Sequence, residues 1–409
     1  MKKLGFFTLL LLTLNTNAQI KILFDATKAE TAGNADWVID ADTHNLGFSS
    51  GPAITGTGNE ANPQRTPSPL QSNITSSTPE TYWNGGLSNW GIDCVNQGYT
   101  VESLPYNGQI TYGMTSNLQD LSNYKVFVID EPNILFTDTE KAAIITFVQH
   151  GGGLCIISDH TISDRNNDGA DSPQVLNDLL SNNTVQNNAF GIAFDYNDIS
   201  QTSSNIANLP TNPILHGTAG TVSQVKWSNG TTMSLNTAQN SSVTGLVYKT
   251  GTSSTGSTNV LCAAATYQSG KVVAIGDSSI TDDGTGDSGD TLYNGYITDA
   301  NGNHQKLLMN AIIWLATPSA LGIETSNLTN IDFTITPNPL QNKELKFSYS
   351  NIDNEPTQLA IYDTLGRSIK TIPLSNNENS LALAELNSGV YFAKISNGKQ
   401  SKVLRFILQ

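Results

Sequence analysis

Four short apolar runs in this chain each close on an acidic residue. Ile20–Phe24 (IKILF) runs into Asp25, Tyr124–Ile129 (YKVFVI) into Asp130-Glu131, Leu154–Ser158 (LCIIS) into Asp159-His160, and Lys271–Ile275 (KVVAI) into Gly276-Asp277. Such short, mostly apolar and β-branched runs suit strands buried on both faces, as in a parallel sheet. Tyr99–Leu104 (YTVESL) alternates like a further strand. Helical signals lie between the runs. Leu87–Asn96 reads as a helix that stops at Gly98. Thr137-Asp138-Thr139-Glu140 has capping-box spacing and opens a helix with Ala143, Ile144, Phe147 and Val148 on one face, ending at Gly151. Ser172-Pro173 caps another helix, with Pro at the permitted first position, and His304–Ala316 is the last, stopped by Pro318. Strands alternating with helices predict an α/β, flavodoxin-like domain over residues 19–316, with a mostly parallel sheet covered on both faces. From about 185 to 260 the pattern changes to short strands and turns, read as a β-rich insertion. Residues 40–82 read as one long polar loop.

The start of the chain sets the compartment. Lys2 and Lys3 precede an apolar stretch, Leu4–Leu14, and Thr16-Asn17-Ala18 supplies small residues at a cleavage site. This is the pattern of a signal peptide over residues 1–18. Eleven apolar residues are too few for a membrane span, which needs about 20, and no later run approaches that length. The 20 basic against 35 acidic residues give a net charge of −15. Such a balance repels nucleic-acid phosphates and anionic lipid, excluding both as partners, and suits hard cations such as calcium. Cys94, Cys155 and Cys262 show no metal-type spacing. Buried free thiols, or one bridge with a thiol left over, both fit an odd count.

Residues 317–330 are a polar linker. Residues 331–409 form a different unit of short alternating segments, Leu345–Tyr349, Gln358–Tyr362, Val390–Ile395 and Val403–Leu408, which predicts a small all-β sandwich. Its motifs run in order: Pro337-Asn338-Pro339, Ile361-Tyr362-Asp363, Leu365-Gly366-Arg367, Gly389-Val390-Tyr391-Phe392 and Lys402-Val403-Leu404-Arg405-Phe406. This unit resembles the type A C-terminal sorting domain of the type IX secretion system. The resemblance implies the type IX machinery as partner and a protein secreted from, or held on the outer surface of, a Gram-negative bacterium.

The stretch Phe147–His160 (FVQHGGGLCIISDH), with Asn212–Gly217 (NPILHG) and Gly270–Asp277 through Trp314, resembles more loosely the class I glutamine amidotransferase-like superfamily, including its trehalose-utilisation-like branch. That superfamily keeps its key residue at the turn after this strand, where amidotransferases place a nucleophilic Cys. Here the turn holds Asp159-His160, and Cys155 lies inside the strand. The resemblance therefore implies the fold without amidotransferase chemistry.

In open α/β sheets ligands bind beyond the carboxyl ends of the strands. Asp25, Glu131, Asp159, His160 and Asp277 are accordingly the candidate catalytic residues. Converging carboxylates persist only with a cation, with protons, or with hydrogen bonds to satisfy them. Each acid alone also fits a helix N-cap. His160 suits acid/base work near neutrality, with Asp159 orienting its ring or both ligating a divalent metal. Asp164, Asn166 and Asp168 have the D-x-N-x-D-G spacing of a calcium loop, and Asp171 could add an oxygen. Val175 stands at the twelfth position, so this is no EF-hand, and a turn held by Asx hydrogen bonds fits equally. Asp283 lies in an acidic, glycine-rich loop, Asp282–Asp290, that lines the cleft, ligates a cation or is plain surface. Asp36, Trp37 and Trp83 are candidate ligand-binding residues, the aromatics stacking on sugar rings or packing in the core. No G-x-S-x-G, Walker, HExxH or GxGxxG motif is present. The leading expectation is an extracellular hydrolase acting on a carbohydrate-like polymer. The alternatives are a non-catalytic glycan- or surface-binding protein stiffened by calcium, and an adhesin.

Overall fold

A computed structural model describes residues 19–32, 35–46, 60–286, 293–298, 302–317, 333–340, 342–349, 357–364, 366–374, 379–396 and 401–409. The signal-peptide region and residues 318–330 of the linker lie outside them. The chain divides into two units, Met1–Ser319 and Ala320–Gln409.

The first unit is built on a nine-stranded sheet. Its strands are β1 (Lys21–Asp25), β2 (Thr100–Leu104), β3 (Val126–Asp130), β4 (Gly153–Ile157), β5 (Ile192–Phe194), β6 (Met233–Leu235), β7 (Thr244–Tyr248), β8 (Val260–Tyr267) and β9 (Gly270–Ile275). Their order is β2-β1-β3-β4-β9-β8-β6-β5, with β7 also paired to β8. The first five of that order are mutually parallel. Counting only these, the order is 2-1-3-4-5, the doubly wound order of flavodoxin-like sheets. β8, β6, β5 and β7 add antiparallel edges. The segment expected as an insertion thus extends the same sheet. Every residue of β3, β4 and β9 is buried, so neither face of the central strands meets solvent.

The α-helices are α1 (Ser88–Asn96), α2 (Asp138–Gln149), α3 (Ser172–Ser181) and α4 (Asn303–Ala316). Thr137 and Glu140 form the expected capping box on α2. The α3 start differs from its reading. Asp171, not Ser172, is the N-cap, in a capping box with Gln174, and this places Ser172 and Pro173 inside the first turn. A carboxylate accepts a backbone N–H more strongly than a hydroxyl does and suits the positive end of the helix dipole. α1 has no side-chain cap of its own, but Asp283 Oδ2 accepts the Asn89 N–H at 2.5 Å and fills that role from nearly two hundred residues away.

The described parts of the 40–82 segment, residues 40–46 and 60–82, are more ordered than a polar loop. Ala41–Leu46 pairs with Glu60–Pro63, and single 3-10 turns follow at Gln71–Asn73 and Glu80–Tyr82. The Asp40 carboxylate ties the segment together by accepting Ser68 N–H at 2.7 Å and Asn84 N–H at 3.1 Å. Phe24, Trp83 and Trp90 are buried in the core, Phe24 and Trp90 edge to face. The three cysteines are free and buried.

The second unit holds β10 (Phe333–Ile335), β11 (Glu344–Tyr349), β12 (Thr357–Tyr362), β13 (Ser368–Leu374), β14 (Ser380–Ala382), β15 (Gly389–Ser396) and β16 (Ser401–Leu408). They form a three-stranded sheet, β10-β11-β14, and a four-stranded one, β13-β12-β15-β16, all antiparallel. Phe333, Leu345 and Phe347 from the first and Leu359, Ile361, Ile395 and Phe406 from the second share one core. The motif residues have local work. Asn338 bonds the edge of β16, donating to the Arg405 carbonyl and accepting the Ile407 N–H. Asp363 closes the β12–β13 turn by accepting Arg367 N–H and Nε.

Candidate functional site

The carboxyl ends of β3, β4 and β9 converge on a pocket of about 110 Å³ lined by Trp37, Asp159, His160, Arg165, Ser278 and Tyr293, with Ala32, Ser228, Asn229 and Ser279 completing its wall. Close backbone approach makes this convergence possible. A Cβ added to Gly276 would sit 2.1 Å from the Thr231 carbonyl oxygen, and one on Gly230 would sit 2.7 Å from the Asp277 Cβ. Only glycine lets the 228–231 segment close over the end of β9.

Glu131 is wholly buried and stands at φ 47°. Its Oε2 accepts the Trp37 indole N–H at 2.7 Å and the Ser278 hydroxyl, and its Oε1 accepts Arg165 Nε at 3.0 Å. The same guanidinium donates from Nη2 to Asp159 Oδ2 at 2.7 Å. One arginine therefore clamps two buried carboxylates from two different strand ends. Burial works against the Arg165 charge, but Glu131 and Asp159 outweigh it and raise its pKa. Asp277 caps the 3-10 turn Ser278–Ile280. Its carboxylate accepts Ser279 N–H at 2.9 Å, Ser279 Oγ at 2.6 Å and the Ser228 N–H.

One guanidinium cannot neutralise every acid here. Burial, then Glu131 and Asp277, hold the Asp159 carboxyl well above the usual range. Burial raises Asp277 to about 7 against its own hydrogen bonds. Asp130, at the end of β3, is raised well above the usual range by burial, with Glu131, Asp277 and Asp282 adding to it. Among the described residues neither Asp130 oxygen has a hydrogen-bond partner, and the nearby Thr281 hydroxyl donates to the Ser278 carbonyl. The site thus keeps protons on some of its acids near neutral pH.

His160 stands at the pocket with its side chain 16% exposed. Its Nδ1 lies 2.6 Å from the Thr161 carbonyl oxygen, and Asp198 Oδ2 is 3.7 Å from the same nitrogen. With Nδ1–H donating to that carbonyl, Nε2 is left as the acceptor. It faces Asp159 Oδ2 at 3.6 Å, too far for a direct hydrogen bond. A water about 2.8 Å from both atoms would bridge them.

The other expected site residues lie elsewhere or have different partners. Asp25 does not line this pocket. Its Oδ1 accepts Thr27 N–H, its carboxyl interacts with that of Glu30, and burial raises it to about 6. Burial and Asp25 together raise Glu30 well above its usual value. Trp83 is 1% exposed and donates to the Pro69 carbonyl, so its ring is part of the core rather than a ligand platform. Asp283 caps α1, and burial raises it to about 7. Asp36 pairs through its backbone with Thr31, and its side chain lies outside the described residues. Residues 287–290 of the acidic loop lie outside them as well. Cys155 sits mid-β4, and burial pushes its thiol well up.

The D-x-N-x-D-G loop has a visible task. Asp164 accepts the Asp168 and Gly169 N–H groups, Asn166 Oδ1 accepts Asp168 N–H, and Asp168 Oδ1 accepts Ala170 N–H. Asp171 Oδ2 accepts Ile162 N–H at 2.8 Å and Thr161 Oγ1 at 3.1 Å. These Asx bonds fix a tight loop whose second residue, Arg165, reaches the carboxylates. Among the described residues no group of three or more His, Cys, Asp or Glu is arranged to hold a metal ion.

Sequence reasoning missed Arg165 because it occupied a variable position of a motif read for its oxygens. A signal was available: the chain has four arginines, and Arg165 alone sits among acids in the α/β unit's strand-end segments. Tyr293, packed 6.1 Å from Trp37, had no local signal.

Comparison with known proteins bears on the two units unequally. Residues 334–409 match the secretion system C-terminal sorting domain family. The second unit is therefore a sorting domain, and the protein is secreted or displayed at the cell surface through the type IX machinery. No curated protein matches the chain in sequence. Among solved structures, the chain is similar to the mmIFT52 N-terminal domain (15% identity, TM-score 0.42, covering 72% of this chain and 97% of that one). It is also similar to a cytoplasmic protein of Salmonella typhimurium (14%, 0.36, 56% and 86%). A thua-like protein of Parabacteroides merdae is a further neighbour (11%, 0.32, 73% and 90%). At these identities and scores the neighbours say nothing about chemistry.

Proposed function

We propose that the first unit is an extracellular hydrolase that moves a proton through His160, beside Asp159, while splitting a carbohydrate-like polymer. The supporting observation is the placement of His160 Nε2 across a 3.6 Å gap from Asp159, in the pocket that Arg165, Ser278 and Tyr293 also line. In this reading a water in that gap gives its proton to Nε2 as it attacks. Arg165 holds Asp159 in place and limits the charge that builds up. His160, now carrying that proton, returns it to the leaving group, while Asp277, wholly buried and bonded to Ser228 and Ser279, supports the pocket wall from behind. Export and the Tyr293 ring, 39% exposed beside the pocket, favour a sugar polymer as substrate. A catalytic divalent metal would have to displace Arg165 from Glu131 and Asp159.

The test uses the mature chain on a panel of neutral and acidic polysaccharides, reading reducing-end release. His160→Ala and Asp159→Asn should each lower turnover about a hundredfold or more without changing the fold. Undiminished turnover in His160→Ala would overturn the reading.

A second reading has its own observation: both Glu131 oxygens and Asp159 Oδ2 already have partners inside the protein. A finished network suits a glycan- or surface-binding protein without turnover. Calcium on Asp164, Asn166 and Asp168 belongs to this reading, with Asp171 as a further ligand, although the ion must compete with the backbone N–H groups those oxygens now accept. A melting temperature raised by calcium and lowered by chelator would support it, and equality of the two would remove the ion.

A further inference from the structure

A second cavity of the first unit is far from featureless. It measures about 600 Å³ and lies between the 108–114 segment that follows β2 and the outer face of α2. It shares no lining residue with the acidic pocket. On the helix side Thr139, Ala142, Ala143 and Thr146 are small, which leaves a trough. On the loop side stand Ile110, Tyr112 and Met114.

Three features make the trough a prepared site. First, the loop is held rigidly off the helix. Asp120 accepts Thr111 Oγ1 at 2.6 Å, Gly113 N–H at 2.9 Å and Met114 N–H at 2.8 Å. These bonds and those from Ser122 outweigh burial and bring Asp120 down to about 2, so the clamp stays charged at any working pH. Second, Tyr112 presents an aromatic wall, backed by His150 stacked at 5.4 Å and Phe147 edge-on at 6.5 Å. Its hydroxyl, the Gln109 amide and the Thr146 hydroxyl make no hydrogen bond among the described residues. Third, the lining carries no uncompensated charge. Its one ionisable acid, Glu140, accepts the buried Lys28 ammonium on both oxygens at 2.8 Å, beside its capping bonds from Thr137.

We propose that this trough binds a neutral saccharide, with one sugar ring against Tyr112 and its hydroxyls on Gln109, Thr146 and the loop backbone. A charged ligand would find no counter-ion here. A purely apolar one would strand the three free polar groups. A sugar ring offers an apolar C–H face for the aromatic wall and hydroxyls for the rim. The volume lies within the usual range for small-ligand pockets, roughly 300–1,000 Å³.

The experiment titrates the mature full chain by calorimetry with cellohexaose, maltohexaose, xylohexaose and mannohexaose, and with hexagalacturonate as the anionic control. At least one neutral hexasaccharide should bind. Tyr112→Ala should weaken that binding about tenfold or more, and Ala142→Trp, which fills the trough, should abolish it. His160→Ala should leave it unchanged, which separates this site from the acidic pocket whatever the outcome there. If Ala142→Trp fails to fold, Thr146→Val serves instead, with a several-fold loss expected. Absence of binding by every neutral sugar, binding by hexagalacturonate alone, or unaltered affinity in both trough variants would each overturn the proposal.

Discussion

The two units of this protein differ in what they bury beside their apolar cores. The sorting unit hides Phe333, Leu345, Phe347, Leu359, Ile361, Ile395 and Phe406, and among its described residues the one buried polar side chain is Thr357. The α/β unit hides Asp25, Glu30, Asp130, Glu131, Asp159, Asp277, Asp282 and Asp283 at or near strand ends. An apolar sandwich gains stability from everything it buries. A buried carboxylate opposes folding unless it is paired, bonded or protonated. The difference teaches where the chain tolerates cost: stability is surrendered where the carboxyl ends of a parallel sheet meet, and nowhere visible in the sorting unit.

The largest effect expected from breaking this contrast is at Arg165. Arg165→Met leaves Glu131 and Asp159 buried without their cation and should cost the α/β unit about 3–5 kcal/mol. The sorting unit should melt as before. Adding Glu131→Gln and Asp159→Asn should recover much of the loss. Arg165→Lys should not, because Nε and Nη2 each serve a different carboxylate and an ammonium lacks that fork. Calorimetry on the full chain checks all three, and an unshifted Arg165→Met would refute the clamp.

The next effect is a pH dependence of one sign. Asp25 is raised to about 6 and Asp277 and Asp283 to about 7, and Glu30, Asp130 and Asp159 are also raised well above their usual values. Between pH 4 and 7 the folded state holds protons that the unfolded chain has released. Their stabilisation is therefore complete below about pH 4 and is lost as pH rises through the folded values. Glu102 and Asp120, both lowered, act in the opposite sense only on the acid side of that window. The α/β transition should fall by several degrees from pH 5 to pH 8, and the sorting transition should stay flat. Asp130→Asn should reduce the slope and raise stability at pH 8, since among the described residues neither oxygen of Asp130 has a hydrogen bond to lose. A transition that rises with pH would contradict the proton assignment.

A smaller loss is expected from Asp171→Ala. It removes the α3 capping box and the bond to Ile162 N–H beside His160. About 1 kcal/mol is the usual cost of an N-cap. If calcium bound there instead, the loss would grow on adding the ion, and melting curves with and without it decide.

Much of this was legible in the sequence, for physical reasons. Continuous apolar runs mark strands buried on both faces, so β1, β3, β4 and β9 could be read from local pattern. The acid after each run is visible because strand ends impose it locally. Trp83 and Asp283 were misplaced for the opposite reason. Whether an indole packs in a core or meets a ligand depends on neighbours distant in the chain, and so does a carboxylate that caps a helix begun at Ser88. Arg165 was hidden because the D-x-N-x-D-G pattern specifies oxygens and is silent about the side chain between them. The α3 cap moved by one residue because Asp171, Ser172 and Pro173 each carry a start signal, and only geometry ranks them.

The smallest expected effect sharpens the comparison most cleanly, because it uses the same residue type in the same pairing. Arg367 donates its Nε to Asp363 Oδ2 at 3.0 Å, the same length as the bond from Arg165 Nε to Glu131. The Arg367 side chain is 81% exposed, against 23% for Arg165. Water already solvates the Arg367 charge, and the Asp363 carboxylate keeps the Arg367 backbone N–H when the side chain is removed. Arg367→Ala should therefore shift the sorting transition by less than calorimetry resolves, and raising the salt concentration should not change that. If it instead matched the loss from Arg165→Met, burial would not be what separates the two arginines, and the contrast between the two units would fail with it.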